Sequence, residues 1–281
     1  RTTPPPRNPP GHADRISIMT DNAHKADEAS APHGIELPRV ELPSEEAAQE
    51  ARDRQAILTK PSGALGRLEE LSIWAASVQS TCPPHRFAQP RVVIFVGDHG
   101  VARTASTSAY PPEVTAQMVL NFVAGGAAVN VLARESSATV RVIDVSVDCD
   151  PAYVEAIAPE VVAHRIRRGS GSIDREDAMT LEEARASFDL GRTIADDEID
   201  RGTDLLIPGD MGIGNTTPAA ALIGLLSNLD ASKVTGLGTG IDDAGWMRKC
   251  AAIRDAMRRG RPHLGDPIRV LATVGSPDFA A

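Results

Sequence analysis

The sequence predicts an α/β protein, with a doubly wound, mostly parallel, Rossmann-like sheet and a small helical subdomain. Three observations carry this. Short β-branched runs alternate with helical stretches of ten or more residues, which is the pattern of βαβ crossovers. The apolar fraction is 42% but only 3% of residues are aromatic, so aliphatic and alanine side chains must fill the core. Two glycine-rich segments sit where a strand or loop hands over to a helix, which is where such sheets bind ligands. At 281 residues the chain is long enough for one large domain or two unequal ones.

Residues 1–43 are rich in proline, with Pro4, Pro5 and Pro6 consecutive, and read as a disordered leader. Because the first methionine is Met19, residues 1–18 are expected to be either an upstream extension or a misplaced start. Residues 44–82 read as a small, partial helical subdomain. Ser44 is placed to cap a first helix with Glu45 and Glu46 in its opening turn. In a second helix Leu65, Leu68, Leu71, Ala75 and Val78 recur on one face, until Pro83 and Pro84 close the region. Residues 83–281 then form the α/β domain. Its expected strands are 92–96, 140–147, 205–207 and 269–274, each a short apolar run. A helix is expected after Pro111-Pro112-Glu113, with a pause at Gly125-Gly126 and a resumption through Val129 and Leu132.

Charge and cysteine content narrow the function. Twenty-nine Lys and Arg against 38 Asp and Glu give a net charge of −9, the wrong sign for a nucleic-acid binder. Cys82, Cys149 and Cys250 are widely spaced and form no CxxC pair, which fits a reducing cytoplasm and supports neither a disulfide framework nor a zinc ribbon. No His, Asp or Glu group has metal-ligand spacing, so no metal and no cofactor are expected. No apolar stretch approaches the ~20 residues of a membrane span, so no membrane association is expected.

The most informative stretch runs from Asp204 through Pro208-Gly209-Asp210-Met211-Gly212-Ile213-Gly214-Asn215-Thr216-Thr217-Pro218 to Ala221. A strand enters a glycine-rich loop, Thr217 is placed as a helix cap, and Pro218 takes the first helical position. Glycines let the backbone approach a phosphate, amides at the helix start point towards it, and two threonine hydroxyls can donate as well. The loop is not a Walker A motif, because no Gly-Lys-Ser/Thr follows. Gly236 to Asp243 forms a second such loop, and the helix after it carries Arg248 and Lys249. Here two readings stay open: a cation reaching the same phosphate, or a solvated basic face shared with Arg254, Arg258 and Arg259. His99, in Gly97-Asp98-His99-Gly100, is either a base or part of a turn. Val114, Met118 and Phe122 share a helical face that either packs on the sheet or, with Tyr110, walls a slot for a flat ring.

Five motifs occur in order: Lys60 to Glu69, Gly97 to Ala102, Ser108 to Met118, Gly209 to Ala221, and Gly236 to Asp243 with Arg248-Lys249. Together they resemble the nicotinate-nucleotide–dimethylbenzimidazole phosphoribosyltransferases, over roughly residues 45–275. The resemblance implies transfer of phosphoribose from nicotinate mononucleotide to 5,6-dimethylbenzimidazole, giving α-ribazole 5′-phosphate and nicotinate in cobalamin biosynthesis. It implies a homodimer as well. By position, Gly212, Gly214, Asn215, Thr216 and Thr217 would surround the nucleotide, with Lys249 at its phosphate. Asp210 would be a carboxylate near the base, and Tyr110, Val114, Met118 and Met211 would line the aromatic slot.

Two departures shape the expectation. Ser172 stands where the family usually carries asparagine. The Arg-Leu-Gly-Glu-Gly motif, whose glutamate the family uses as general base, does not occur in the 281 residues. General-base help is worth ~10² to 10⁴ in rate, so the chain is expected to lack its carboxy-terminal part, to bind the mononucleotide weakly and to turn over little. Two alternatives remain open: a non-catalytic nucleotide-binding paralogue, and another phosphate-handling α/β enzyme such as a sugar-phosphate isomerase or synthase.

Overall fold

The computed structural model of the protein describes residues 39–150, 152–155 and 158–281; most of the expected leader lies outside them. Residues Ser44–Ala281 form one compact unit. It begins with helices α1 (Glu45–Ile57) and α2 (Arg67–Gln79). Ser44 caps α1 as expected, its hydroxyl accepting the Ala47 amide at 3.1 Å. The pair closes through small residues: Ala47, Ala48 and Ala51 are buried, as is Ala76. The leucine face of α2 is not the buried one. Leu68 is 62% exposed, and Leu71 and Val78 are also on the surface, while Leu65 precedes the helix. Periodicity identifies which residues share a face, but not what that face meets.

Three strands make the sheet: β1 (Pro90–Gly97), β2 (Thr139–Ser146) and β3 (Leu205–Met211). Their order is β2-β1-β3, with both pairings parallel. Two apolar clusters sandwich β1. Val92, Ile94 and Val96 pack with Ala116, Val119 and Phe122 of α4 (Val114–Val123), whereas Val93 and Phe95 pack with Leu190 and Ile194 of α8 (Leu181–Asp200). This two-residue alternation, apolar on both sides, is what a central parallel strand requires. The sheet is therefore doubly wound.

Other helices complete the layers: α3 (Gly100–Thr104), α5 (Ala128–Glu135), α6 (Ala152–Glu155), α7 (Pro159–Val162), α9 (Thr216–Ser227), α10 (Ala231–Val234), α11 (Asp243–Gly260), α12 (Pro267–Val274) and α13 (Pro277–Ala280). A third cluster joins α9, α11 and α12 through Ala221, Ile253, Ala256 and Val274.

Three sequence expectations are corrected. The run 269–274 is not a fourth strand but the body of α12. The Asp266 side chain accepts the Arg269 amide at 3.0 Å and Pro267 occupies the first turn, so the Asp-Pro start outweighs the β-branched composition. Thr217 does not cap α9: the helix starts at Thr216 with Asn215 before it, because the loop turns one residue earlier. Finally, Val114–Glu135 spans 22 residues with a mean hydropathy of 1.5, enough by length and composition to cross a membrane. It folds as α4 and α5, broken where Gly125 takes φ +76°.

Candidate active site

The site forms at the carboxyl ends of β1 and β3. Asp98 organises it. Its carboxylate accepts the Thr115 hydroxyl at 2.7 Å and the Asp148 amide at 2.8 Å, and the Thr115 oxygen in turn accepts the Ile213 amide at 3.0 Å. One buried acid thus ties the ends of β1 and β2, helix α4 and the glycine loop together. Glycine is required at 212, where a Cβ would lie 2.0 Å from the Gly97 carbonyl oxygen and 2.7 Å from His99 Nε2. At Gly214, φ is +93° and a Cβ would strike Ala102.

The loop consumes part of its own donor set. The Asn215 amide donates to Gly212 and the Thr217 amide to Gly214. What replaces them is a cation. Lys249, on α11, is fully buried, and its Nζ donates to Thr216 Oγ1 at 2.7 Å, at the first residue of α9. Burial holds its ammonium below the usual lysine value. A Cβ on Gly238 would lie 2.8 Å from that Nζ, so the second glycine loop packs over it. The same loop reaches Ser108 and the Ala109 amide through Thr239, at 3.0 and 2.7 Å. Of the two readings of this helix, the solvated basic face describes Arg248, Arg254 and Arg258, while Lys249 points inward to the start of α9.

Asp210, next to last in β3, accepts the Asn215 side-chain amide Nδ2 at 2.5 Å. Burial and then the charge of Asp278 push its carboxyl up to about 8, against the opposing pull of His99 and Asn215. Asp210 is exposed at the surface, so solvent weakens the first of these causes. His99 is buried, with its ring held below the usual histidine value by burial, which favours the neutral form.

The predicted slot is only partly assembled. Met118 and Met211 pack against the same apolar cluster. Tyr110 is 56% exposed, and Val114 is half-buried at the start of α4. One open concavity lies at the site, lined by Asp98, Pro112, Glu113, Ala116 and Gln117, and another lies between Asn228–Ala231 and Arg254–Arg261. Ser172 is spent internally, with its hydroxyl 2.5 Å from both Thr104 Oγ1 and Asp174. Sequence reasoning missed Asp98, Thr115, Thr239 and Asp278. Asp278 carried a faint signal: Ser276-Pro277-Asp278 is a helix-start pattern directly after Gly275. Among the described residues, no group of three or more His, Cys, Asp and Glu side chains is arranged to hold a metal ion.

Comparison with known proteins decides the family. Residues 40–281 match the family described as Phosphoribosyltransferase. The chain belongs to this phosphoribosyltransferase family. Its relatives include proteins from Mycobacterium bovis and Mycobacterium tuberculosis, each named nicotinate-nucleotide–dimethylbenzimidazole phosphoribosyltransferase and each 56% identical over 242 residues. That alignment covers 86% of this chain and 65% of the relatives, so the chain spans about two-thirds of their length. The solved structure of CobT from Thermus thermophilus is 40% identical, with a TM-score of 0.76, covering 84% of this chain and 68% of that one. Phosphoribosyltransferase membership therefore stands on both sequence and fold.

Proposed function

We propose that the protein transfers phosphoribose from nicotinate mononucleotide to 5,6-dimethylbenzimidazole, giving α-ribazole 5′-phosphate and nicotinate in cobalamin biosynthesis. The observation that carries this reading is the buried Lys249 ammonium at the start of α9, beside two glycine loops. A fully buried lysine with no carboxylate partner among the described residues is costly, and a dianionic phosphate seated there would supply the missing charge. Gly212, Gly214, Asn215, Thr216 and Thr217 then surround the nucleotide. Thr217 Oγ1 is buried and lacks a partner among the described residues, which leaves it free to take one.

As nicotinate leaves, the ribose C1′ becomes oxocarbenium-like, and a ring nitrogen of the base attacks from the opposite face, inverting the anomeric centre. Holding both reactants in line supplies much of the acceleration. Asp210 lies beside the attacking base, and Tyr110, Val114, Met118 and Met211 form the wall for its flat ring, with methionine supplying an adaptable surface. The same reading places the enzyme in the cytoplasm as a homodimer, with a Rossmann-like sheet and residues 44–82 as its helical subdomain. Calorimetry with nicotinate mononucleotide, followed by an assay of nicotinate release on adding dimethylbenzimidazole, tests it. Saturable mononucleotide binding that Lys249→Met weakens about 10- to 100-fold supports the proposal; binding indifferent to that substitution overturns it.

A further inference from the structure

Two neighbouring residues of one exposed turn reach the phosphate subsite and the wall of the slot. Between Thr235 and Ile241 the chain makes a turn, Gly236 to Gly240, exposed along its whole length. It is closed on itself by the amides of Gly240 and Ile241, which donate to the Leu237 carbonyl at 3.1 and 3.3 Å. Gly238 and Gly240 take φ of +55° and +85°, where a side chain would be strained. Both ends of the turn are fixed: Trp246 Nε1 donates to the Thr235 carbonyl at 3.0 Å, and Ile241 is buried.

Gly238 sits on the phosphate subsite, since a Cβ there would lie 2.8 Å from Lys249 Nζ and 3.0 Å from Thr216 Oγ1. Thr239 engages the slot. Its hydroxyl oxygen accepts the Ala109 amide at 2.7 Å and lies 3.0 Å from Ser108 Oγ, which itself accepts the Tyr110 amide at 3.2 Å. Among the described residues, the bonds of Thr239 are the only hydrogen bonds that leave the turn. Ala109 and Tyr110 are themselves exposed, so two surface segments 130 residues apart hold each other through a single hydroxyl. Segments with so few buried contacts open at low free-energy cost. An anion seated on Lys249 packs against Gly238 and restrains the turn. That restraint holds the adjacent Thr239 hydroxyl against Ala109, and a ring entering the slot then meets a wall already ordered and loses less conformational freedom on binding.

We propose that Thr239 is a positioning residue that couples the two substrates: its hydroxyl transmits occupation of the phosphate subsite to the slot wall at Ser108–Tyr110, so each substrate tightens the binding of the other. The inference deepens the phosphoribosyl-transfer reading and rests on it for the identity of the ligands. The coupling is reciprocal, with the same factor of about fivefold or more in either direction.

Inorganic phosphate is the probe, because it fills the anion subsite and carries no group to transfer. The first measurement is solvent exchange of the Ala109 amide by NMR, on the whole chain. Phosphate is expected to slow this exchange about fivefold or more in the wild type and in Thr239→Ser, which keeps the hydroxyl. In Thr239→Val, which puts a methyl group in place of the hydroxyl, the amide exchanges fast with or without phosphate. Exchange indifferent to phosphate in the wild type, or protection that survives Thr239→Val, overturns the proposal. Thr239 is exposed, so both variants keep the core intact. Should the valine variant nevertheless fail to fold, the response of the wild type and Thr239→Ser decides by itself.

Calorimetry with dimethylbenzimidazole, without phosphate and then at saturating phosphate, supplies the second readout. Affinity for the base rises about fivefold or more in the wild type and in Thr239→Ser, and by less than about twofold in Thr239→Val. A uniform loss of affinity, such as a merely structural defect produces, does not move this ratio. An equal rise in the wild type and Thr239→Val overturns the coupling. Phosphate-dependent protection of Ala109 without any dimethylbenzimidazole binding supports the link between the turn and Ser108–Tyr110 and overturns the substrate assignment. Mononucleotide binding that responds to Lys249→Met, with Ala109 exchange indifferent to phosphate, supports the substrate assignment and overturns the coupling.

Discussion

Lys249 is the residue on which stability and function pull in opposite directions. Desolvating its ammonium costs folding energy, and the Thr216 hydroxyl returns only a fraction of that. Lys249→Met should therefore raise the melting temperature while lowering mononucleotide affinity about 10- to 100-fold, the range of a charge-assisted contact. Asp210 gives a second test with a defined sign. Its folded value is raised from 3.8 to about 8, so the stability it contributes is fully present below 3.8 and is lost as pH rises through about 8. Asp210→Asn removes that loss. The melting temperature of the variant minus that of the wild type should grow between those two values and level off above them; a flat difference contradicts the raised carboxyl.

At the scale of elements, Asp266 decides whether 267–274 is helix or strand. Replacing the cap with alanine should cost about 1 kcal/mol in urea unfolding, the usual worth of an N-cap carboxylate. Gly212→Ala should cost about 2–4 kcal/mol and abolish mononucleotide binding, because the methyl group meets backbone at Gly97 that cannot move aside. These two positions also mark how far the sequence was legible. Strands β1, β2 and β3 were visible because each is a short apolar run ending in glycine, serine or a glycine loop. The run in α12 has the same composition, and only Asp266-Pro267 distinguishes it. The glycine loop and Lys249 were legible as separate pieces, but their meeting was not: Thr216 and Lys249 lie 33 residues apart, and no local pattern encodes that contact. Asp278 was illegible as a site residue for the same reason, being opposite Gly97 only after the sheet has formed.

On the scale of the whole molecule, the two ends of the sheet have separate tasks. At the end away from the site, Glu198 is fully buried and meets Arg91 at 2.8 Å and Arg141 at 2.7 Å. Burial alone would raise its carboxyl, but the Arg141 hydrogen bond and the charges of Arg91, Arg141 and Arg201 outweigh it and hold the carboxyl below the ordinary value. This one acid of α8 pins β1 and β2 together. Glu198→Gln leaves two partly buried guanidinium groups without their counter-charge, and should cost about 2 kcal/mol once their solvent contact is discounted. Mononucleotide affinity should be unchanged in calorimetry, since the defect sits at the opposite end of the strands.

The pairing of β1 with β2 and β3 also sets the order in which the protein can assemble. Val92 meets Val140 on one side and Ile207 on the other, so the central strand closes two long loops before any carboxyl-end loop finds its partners. Closing such loops is entropically expensive and slow, whereas the helices form from local contacts. On dilution from denaturant, helical circular dichroism should therefore return well before the capacity to bind a mononucleotide.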